Sequence, residues 1–553
     1  MRFPQTAGAI LVLLLLPTFA RTQEAPADPA AKVDAIFARF NTRTTPGCAV
    51  AVERDGQRVL SRAYGMADLE HDVPITLDTV FEAGSVSKQF TAAAVVALAR
   101  QGKLSLDDDV RKYIPEVPDY GTPITLRHMM QHTSGLRDWG SVAEMEGWPR
   151  GLRAHTHAHV LEIVSRQKAL NFPTGSEHSY SNSGYNLMAI LVDRVSGERF
   201  AEFTRKLLFE PLGMTRTQWR DDYARVVKGR AIAYGPPQDE VYRSLMPFEN
   251  VHGNGGLLTT VGDLLLWNRN FEHHRAGGPE LVSELQHRGR LTDGREIEYA
   301  GGLYVTNYCG VPEVSHGGAT GGYRAFLARY PEQRLSVALL CNAAEADSGA
   351  LAHQVAELYL PAGVCKEAPA GAGSSPIPLP AADLEAKAGL YRNLRTGMPV
   401  RLLIQDGKLR SEQGDELLPL SRTVFESRPG RARVEFDLAP DGRPRSMRAT
   451  TASGDTLPFE RVADFTSTAE QLAAYPGEYR SDEAQATYTV VLEEGELVLR
   501  RRPDFSTRLQ PAYPDAFTIP AGLVRFIRGA DGKVKEMSIG RTRVRDMRFQ
   551  RVR

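Results

Sequence analysis

An excess of charge of either sign is missing from this chain. Across 553 residues, 67 Lys and Arg stand against 67 Asp and Glu. A nucleic-acid-binding protein usually carries a basic surplus, so no nucleic-acid partner is expected, although a local patch stays possible in a balanced chain. Cysteine is scarce. Cys48, Cys309, Cys341 and Cys365 lie far apart with no Cys-x-x-Cys spacing, which speaks against a zinc site. They read as buried core thiols, with one bridge left open. No cofactor or metal is expected. The Gly-x-Ser-x-Gly string is absent, which weakens any reading as an α/β-hydrolase with its nucleophile elbow. Beyond the first twenty residues no apolar run is long enough to span a bilayer, so no stable membrane insertion is expected.

What is present begins with a leader. A positive start, Met1-Arg2, precedes an apolar stretch from Ala7 to Leu16 and small residues ending at Ala20. Residues 1–20 therefore read as a secretory signal peptide, and the protein as exported, periplasmic or secreted in the bacterial manner. Apolar residues make up 42% and charged residues 24%, the composition of a globular chain, and the length allows several domains.

Two apolar runs over 46–64 are joined by Arg54-Asp55-Gly56-Gln57, a hairpin signal. A helix is predicted from about Ser85, helices and loops dominate 100–300, and strands return in GGLYVTNYC, YRAFLARYP and LSVALLCNA before a helix over 349–359. Strands at both ends with helices between predict an α/β (α+β) layer around a helical insertion. Residues 366–382 are rich in Pro, Gly, Ala and Ser and read as a linker. The remainder repeats itself: Gly389-Leu390-Tyr391-Arg392 returns as Gly477-Glu478-Tyr479-Arg480, and Phe436 returns as Phe526. Short alternating strands with Asp-Gly turns make each copy, 383–464 and 465–553, a small antiparallel sheet or barrel.

Three strings in the first domain point to chemistry: Ser85-Val86-Ser87-Lys88, Tyr180-Ser181-Asn182 and His316-Gly317-Gly318. On a helix, residues three apart share a face, so Lys88 returns beneath Ser85. The apolar run that follows argues for burial, and burial lowers a lysine's pKa and makes it a base. Gly317 and Gly318 permit close approach of backbone to a substrate.

These strings, in this order, resemble the serine β-lactamase and penicillin-binding protein superfamily, in the branch with class C β-lactamases, D-aminopeptidases and related esterases. The segment from Ile124 to Leu136, Phe172-Pro173-Thr174-Gly175 and Gly255-Gly256-Leu257-Leu258-Thr259-Thr260 are similar to it as well. The resemblance covers roughly 32–360, within a domain placed at 32–365. It implies a β-lactamase-like fold, an antiparallel sheet flanked by helices with a helical insertion, ahead of the two barrel-like repeats. It further implies Ser85 as nucleophile, Lys88 and Tyr180 sharing the proton traffic, Asn182 supporting Lys88, and backbone N–H groups of Ser85 and Ala319 as oxyanion donors near Gly318. Which of Lys88 and Tyr180 is the acylation base stays open. His316 stands where the family usually has lysine, and Gly317 removes the usual hydroxyl, so carboxylate recognition is expected to be weak. A peptidase or esterase acting on small D-amino-acid peptides, amides or esters follows. A β-lactamase or D-Ala-D-Ala carboxypeptidase is the alternative, and an idle binding protein is the rival from another class. The repeats are expected to gate the cleft or to set oligomeric state.

His155, His157 and His159 read as a solvated surface stretch, His128 and His132 as structural, and Arg500-Arg501-Arg502 as a solvated face.

Overall fold

The structure, a computed structural model, describes residues 29–361, 363–365, 376–428, 432–451 and 455–552. The expected leader lies outside these residues, as does 366–375 of the linker.

Strands β1 (Cys48–Arg54) and β2 (Gln57–Tyr64) form the expected hairpin. Asp55 and Gly56 both have positive φ, 51° and 73°, as a two-residue turn matched to strand twist requires. Strands β3 (Tyr304–Tyr308), β4 (Val311–Thr320), β5 (Tyr323–Tyr330) and β6 (Leu335–Cys341) return from the far end of the domain. The six form one antiparallel sheet ordered β3-β4-β5-β6-β1-β2. Both faces are covered. Val50, Val52, Val337 and Leu339 face a core shared with the helix Pro29–Ile36 and with α4 (Ser348–Glu357). Ala49, Ala51, Ala338 and Leu340 face the larger core, which holds α1 (Lys88–Arg100), α2 (Asn182–Ser196) and α3 (Val261–His273). Successive strand residues point to opposite faces, so one short strand serves two cores.

The cysteine expectation fails. Cys48 and Cys341 face each other across β1 and β6 and are disulfide-bonded. Cys309 bonds Cys365, so the described residues hold two bridges and no free thiol. Strand register, invisible in sequence spacing, brings the first pair together.

The histidine stretch is also corrected. His155 is buried, with Nε2 on the Trp148 carbonyl at 2.8 Å. His159 closes a capping box with Thr156 at the start of the helix His157–Ser165, and His157 Nε2 lies 3.0 Å from the His252 carbonyl. The stretch begins a helix packed into the domain, so its rings end local backbone bonds instead of facing water.

Each repeat is a closed antiparallel barrel of eight strands, one within 389–462 and the other within 477–551. Tyr391 and Phe436 fill the first, and their repeat partners Tyr479 and Phe526 fill the second. Alternation selects these positions, since every second strand residue points inward.

The second barrel is docked on the first domain. Arg137 and Glu483 form a buried ion pair at 2.7 Å, with side chains 2% and 8% exposed. The Tyr488 hydroxyl donates to the Met145 carbonyl, and Arg545 pairs with Glu177 at 3.0 Å. Arg501, expected on a solvated face, donates to the Met145 carbonyl of this interface. The first barrel touches the second through the Tyr513 hydroxyl, which donates to the Gly397 carbonyl.

Candidate active site

Ser85 does not open the α-helix directly. It lies in a short 3-10 turn, Gly84–Ser87, that runs straight into α1. Gly84 has φ +51°, a conformation costly for any residue with a Cβ. The spacing still does what the sequence predicts, because Lys88 Nζ stands 3.2 Å from Ser85 Oγ. Lys88 is fully buried. Its Nζ also donates to Asn182 Oδ1 at 2.9 Å and to the Asn254 carbonyl at 2.6 Å. Burial, with help from the Arg150 and Arg543 charges, holds its pKa far below the ordinary 10.5. A neutral amine has two N–H bonds and one lone pair. In that neutral form, with both N–H groups given to Asn182 and Asn254, the lone pair would be left for the Ser85 hydroxyl.

Asn182 is placed by its own backbone. Its N–H donates to Asp138 Oδ2 at 2.8 Å, while Asp138 caps the helix Trp139–Glu146 through its other oxygen. Tyr180 precedes α2. Its ring packs at a tilt against buried His132, centroids 4.2 Å apart, and lies 4.7 Å from Lys88 Nζ. Its hydroxyl is buried and has no hydrogen bond of good geometry among the described residues. Burial raises its pKa well above 10, partly opposed by the adjacent Ser85 hydroxyl, so Tyr180 rests as the neutral phenol.

The opposite wall is β4. A Cβ on Gly318 would fall 2.0 Å from the Ala83 carbonyl oxygen and 3.2 Å from the Ser85 nitrogen, and a Cβ on Gly84 would fall 2.6 Å from the Ala319 nitrogen. The two backbones thus touch where a carbonyl oxygen would need two N–H donors, and only glycine fits on either side. His316 is buried, and burial pushes its pKa down to about 3. Its Nδ1 is 2.5 Å from the Gly317 carbonyl and its Nε2 is 3.0 Å from the Tyr299 hydroxyl. The carbonyl can only accept, so Nδ1 carries the proton and Nε2 accepts from Tyr299. This side chain is a fixed neutral ring.

All seven sequence-derived positions meet here: Ser85, Lys88, Tyr180, Asn182, His316, Gly318 and Ala319 line or floor one cleft of about 640 Å³. Sequence reading missed several others. Asn254, Asp138 and Tyr299 act through contacts that no short motif carries, although Asn254 adjoins the flagged Gly255-Gly256. Arg150, Arg324 and Arg543 line the cleft too. Arg543 comes from the second barrel, on the hairpin of β7 (Val534–Arg541) and β8 (Val544–Arg551). Arg541 pairs with Val544, leaving Thr542-Arg543 as the turn. The Arg543 carbonyl accepts from the Asp138 N–H and from Asn171 Nδ2, and its guanidinium lies 5.0 Å above the Tyr180 ring.

Residues 33–360 match the model of the Beta-lactamase family. The chain is 28% identical over 549 residues to a D-aminopeptidase of Gluconobacter oxydans, covering 94% of this chain and 98% of the relative. It is 29% identical over 301 residues to a D-aminopeptidase of Brucella anthropi, covering 54% and 56%. Among solved structures, an octameric penicillin-binding protein homologue from Pyrococcus abyssi aligns over 86% of this chain and 98% of its own, with 21% identity and a TM-score of 0.54. A D-amino acid amidase from Ochrobactrum anthropi aligns over 60% and 98%, with 20% identity and a TM-score of 0.51. A family match over more than half the chain, on a fold with this cleft, settles the lineage: the chain belongs to the Beta-lactamase family and is a serine hydrolase.

Proposed function

We propose that the protein is an exported hydrolase of the D-aminopeptidase or D-amino-acid amidase type, acting on small peptides, amides or esters through an acyl-enzyme on Ser85. The observation that carries this is the Lys88 amine, buried, 3.2 Å from Ser85 Oγ and with its other bonds committed to Asn182 and Asn254. The similar D-aminopeptidase that spans almost the whole chain, barrels included, supports the substrate class. Two disulfides support export, since such bonds persist in oxidising compartments.

In this reading Lys88 takes the Ser85 proton as Oγ bonds to the substrate carbonyl carbon. The carbonyl oxygen becomes an oxyanion held by the backbone N–H groups of Ser85 and Ala319, donors that need no reorganisation. Collapse breaks the bond to the leaving amine or alcohol, which takes a proton from Tyr180, and the proton on Lys88 restores the phenol. Water then adds to the acyl-enzyme, giving one proton to the base, and Ser85 leaves protonated with release of the acid. Lys88 is the acylation base in this reading, because burial drives it toward the neutral amine and drives Tyr180 toward the protonated phenol.

The test compares D-Ala-p-nitroanilide, its L-isomer, a short p-nitrophenyl ester and nitrocefin on wild type and Ser85→Ala. Turnover of the D-anilide that falls at least about 10³-fold in the variant is expected, the scale of losing an activated nucleophile. Equal rates for both proteins would refute the nucleophile, and preference for nitrocefin or the L-anilide would refute the substrate class. Cell fractionation with and without residues 1–20 checks export: loss of the extracytoplasmic pool on deletion is expected.

A further inference from the structure

The wall opposite Ser85 presents a charge problem. His316 is neutral where an anionic substrate group would want a cation. Yet the cleft is not short of positive charge. Of its three arginines, Arg150 is neutralised by a two-pronged pairing with Glu249. Arg324 donates to the carbonyls of Gly321 and Tyr323 and forms no ion pair among the described residues; burial pulls its pKa down, opposed only in part by the Glu345 charge. Arg543 has no carboxylate or hydrogen-bond acceptor on its guanidinium among the described residues and rests on the Tyr180 ring face. The sole carboxylate among the lining residues is Asp347, exposed, with Oδ1 capping α4 through the Ala350 N–H. Two guanidinium groups without an ion pair among the described residues therefore face a cleft whose lining holds one exposed carboxylate.

The placement of Arg543 is enforced. Its backbone is pinned by Asp138, the residue that also holds Asn182, and by Asn171. The neighbouring Arg545 is fixed by Glu177 and Asn171, and the barrel behind it by the buried Arg137–Glu483 pair. A guanidinium delivered this firmly and left without a partner suits a planar anion, which its forked donors match.

We propose that Arg543, with Arg324, binds a carboxylate of the substrate, so that the second barrel supplies the cation that position 316 lacks. The preferred substrates are then short peptides or esters with a free carboxylate beside the scissile bond, over their neutral counterparts. This rests on Ser85 as nucleophile and narrows the substrate class of that site.

Two matched pairs test it on the full chain. D-alanylglycine and D-alanylglycinamide place or remove a carboxylate on the leaving side, and mono-p-nitrophenyl succinate and p-nitrophenyl acetate do so on the acyl side. The anionic member of one pair should be favoured in kcat/KM. In Arg543→Gln that ratio should fall about tenfold, the loss of one charge-assisted hydrogen bond, mainly through KM. Arg543→Lys should restore most of it. The readout is the ratio, so a general loss of activity through the Tyr180 contact does not imitate the result. An unchanged ratio in Arg543→Gln, or preference for the neutral member of both pairs, overturns the proposal. Binding by calorimetry to the Ser85→Ala chain separates the two readings. N-acetylglycine held more tightly than N-acetylglycinamide, with the difference lost on adding Arg543→Gln, supports the anion site even if no ester or peptide is turned over. Equal binding of the two ligands rejects it even if Ser85 proves to be the nucleophile.

Discussion

Two buried groups of opposite inclination sit on either side of Ser85. Lys88 is driven toward its neutral amine, and Tyr180 toward its neutral phenol, both by loss of water. Each shift favours the form that the proposed chemistry needs, so activity depends on pH in a definite way. The base must be unprotonated, and kcat/KM should reach its plateau far below the ordinary lysine value of 10.5. The acid must be protonated, and the alkaline fall should lie above the ordinary tyrosine value of 10. A pH–rate profile that climbs only near 10.5 would contradict a neutral Lys88. His316, held near 3, should contribute no step around 6.5. Lys88→Met should lower kcat by about 10²–10⁴-fold, the usual loss of a positioned general base, measured with the D-anilide. Tyr299→Phe removes the donor to His316 Nε2. An acceptor left unsatisfied in a buried site costs about 1–3 kcal/mol, and thermal unfolding should show that loss.

At the scale of elements, the site depends on the contact between the 3-10 turn before α1 and strand β4. The motif Ser-x-x-Lys names one side of that contact and His316-Gly317-Gly318 the other, yet neither string says that they touch. The glycine environments do. Gly318→Ala puts a methyl 2.0 Å from the Ala83 carbonyl and must push β4 off the turn, separating the two oxyanion donors. A fall in kcat of about 10²-fold or more is expected, as for loss of one such donor, with circular dichroism unchanged. Retention of wild-type kcat would mean that the two backbones do not act together. The helix start was legible only to within a turn: Ser85 belongs to a 3-10 segment, because Gly84 takes positive φ to pass Ala319. His155, His157 and His159 misled for a related reason. Alternation in a polar stretch looks solvated, yet His155 packs on Trp139 and bonds the Trp148 carbonyl, and His157 packs on His252 and bonds its carbonyl, contacts that the sequence around them does not mention.

For the whole molecule, the docking of the second barrel decides what the cleft contains. Arg137→Ala would take away the ion-pair partner that Glu483 has in this buried interface and leave it the Lys168 N–H alone, a change worth about 3–5 kcal/mol. The barrel should loosen, seen as faster limited proteolysis after residue 376, and the carboxylate preference should fall with it. Truncation near residue 372 should likewise change the range of accepted substrates; an unchanged range would remove the barrels from specificity. Acid should weaken the fold. His316 and His178 are held near 3 and near 4 by burial, below the ordinary 6.5. Below 6.5 the unfolded chain binds protons that the folded chain refuses. Stability is therefore full above that value and is lost as pH falls toward those lower values, by about 1.4 kcal/mol per unit for each histidine. Denaturant titrations at pH 7 and pH 5 should show the difference.

Local order in this protein can be read along the chain. Hairpin chemistry at Asp55-Gly56, the Ser85–Lys88 spacing, the three motifs in order and the duplicated C-terminal strands all follow from periodicity and turn residues, which act between neighbours in the chain. What meets across long separations is set by packing and register in the folded molecule. Strand register joins Cys48 to Cys341. Burial leaves His316 neutral. The docked barrel carries Arg543 to a serine at the other end of the chain. The charge of the cleft is a property of that assembly, because burial and long-range packing, which set it, have no signature in the residues beside any one of its members.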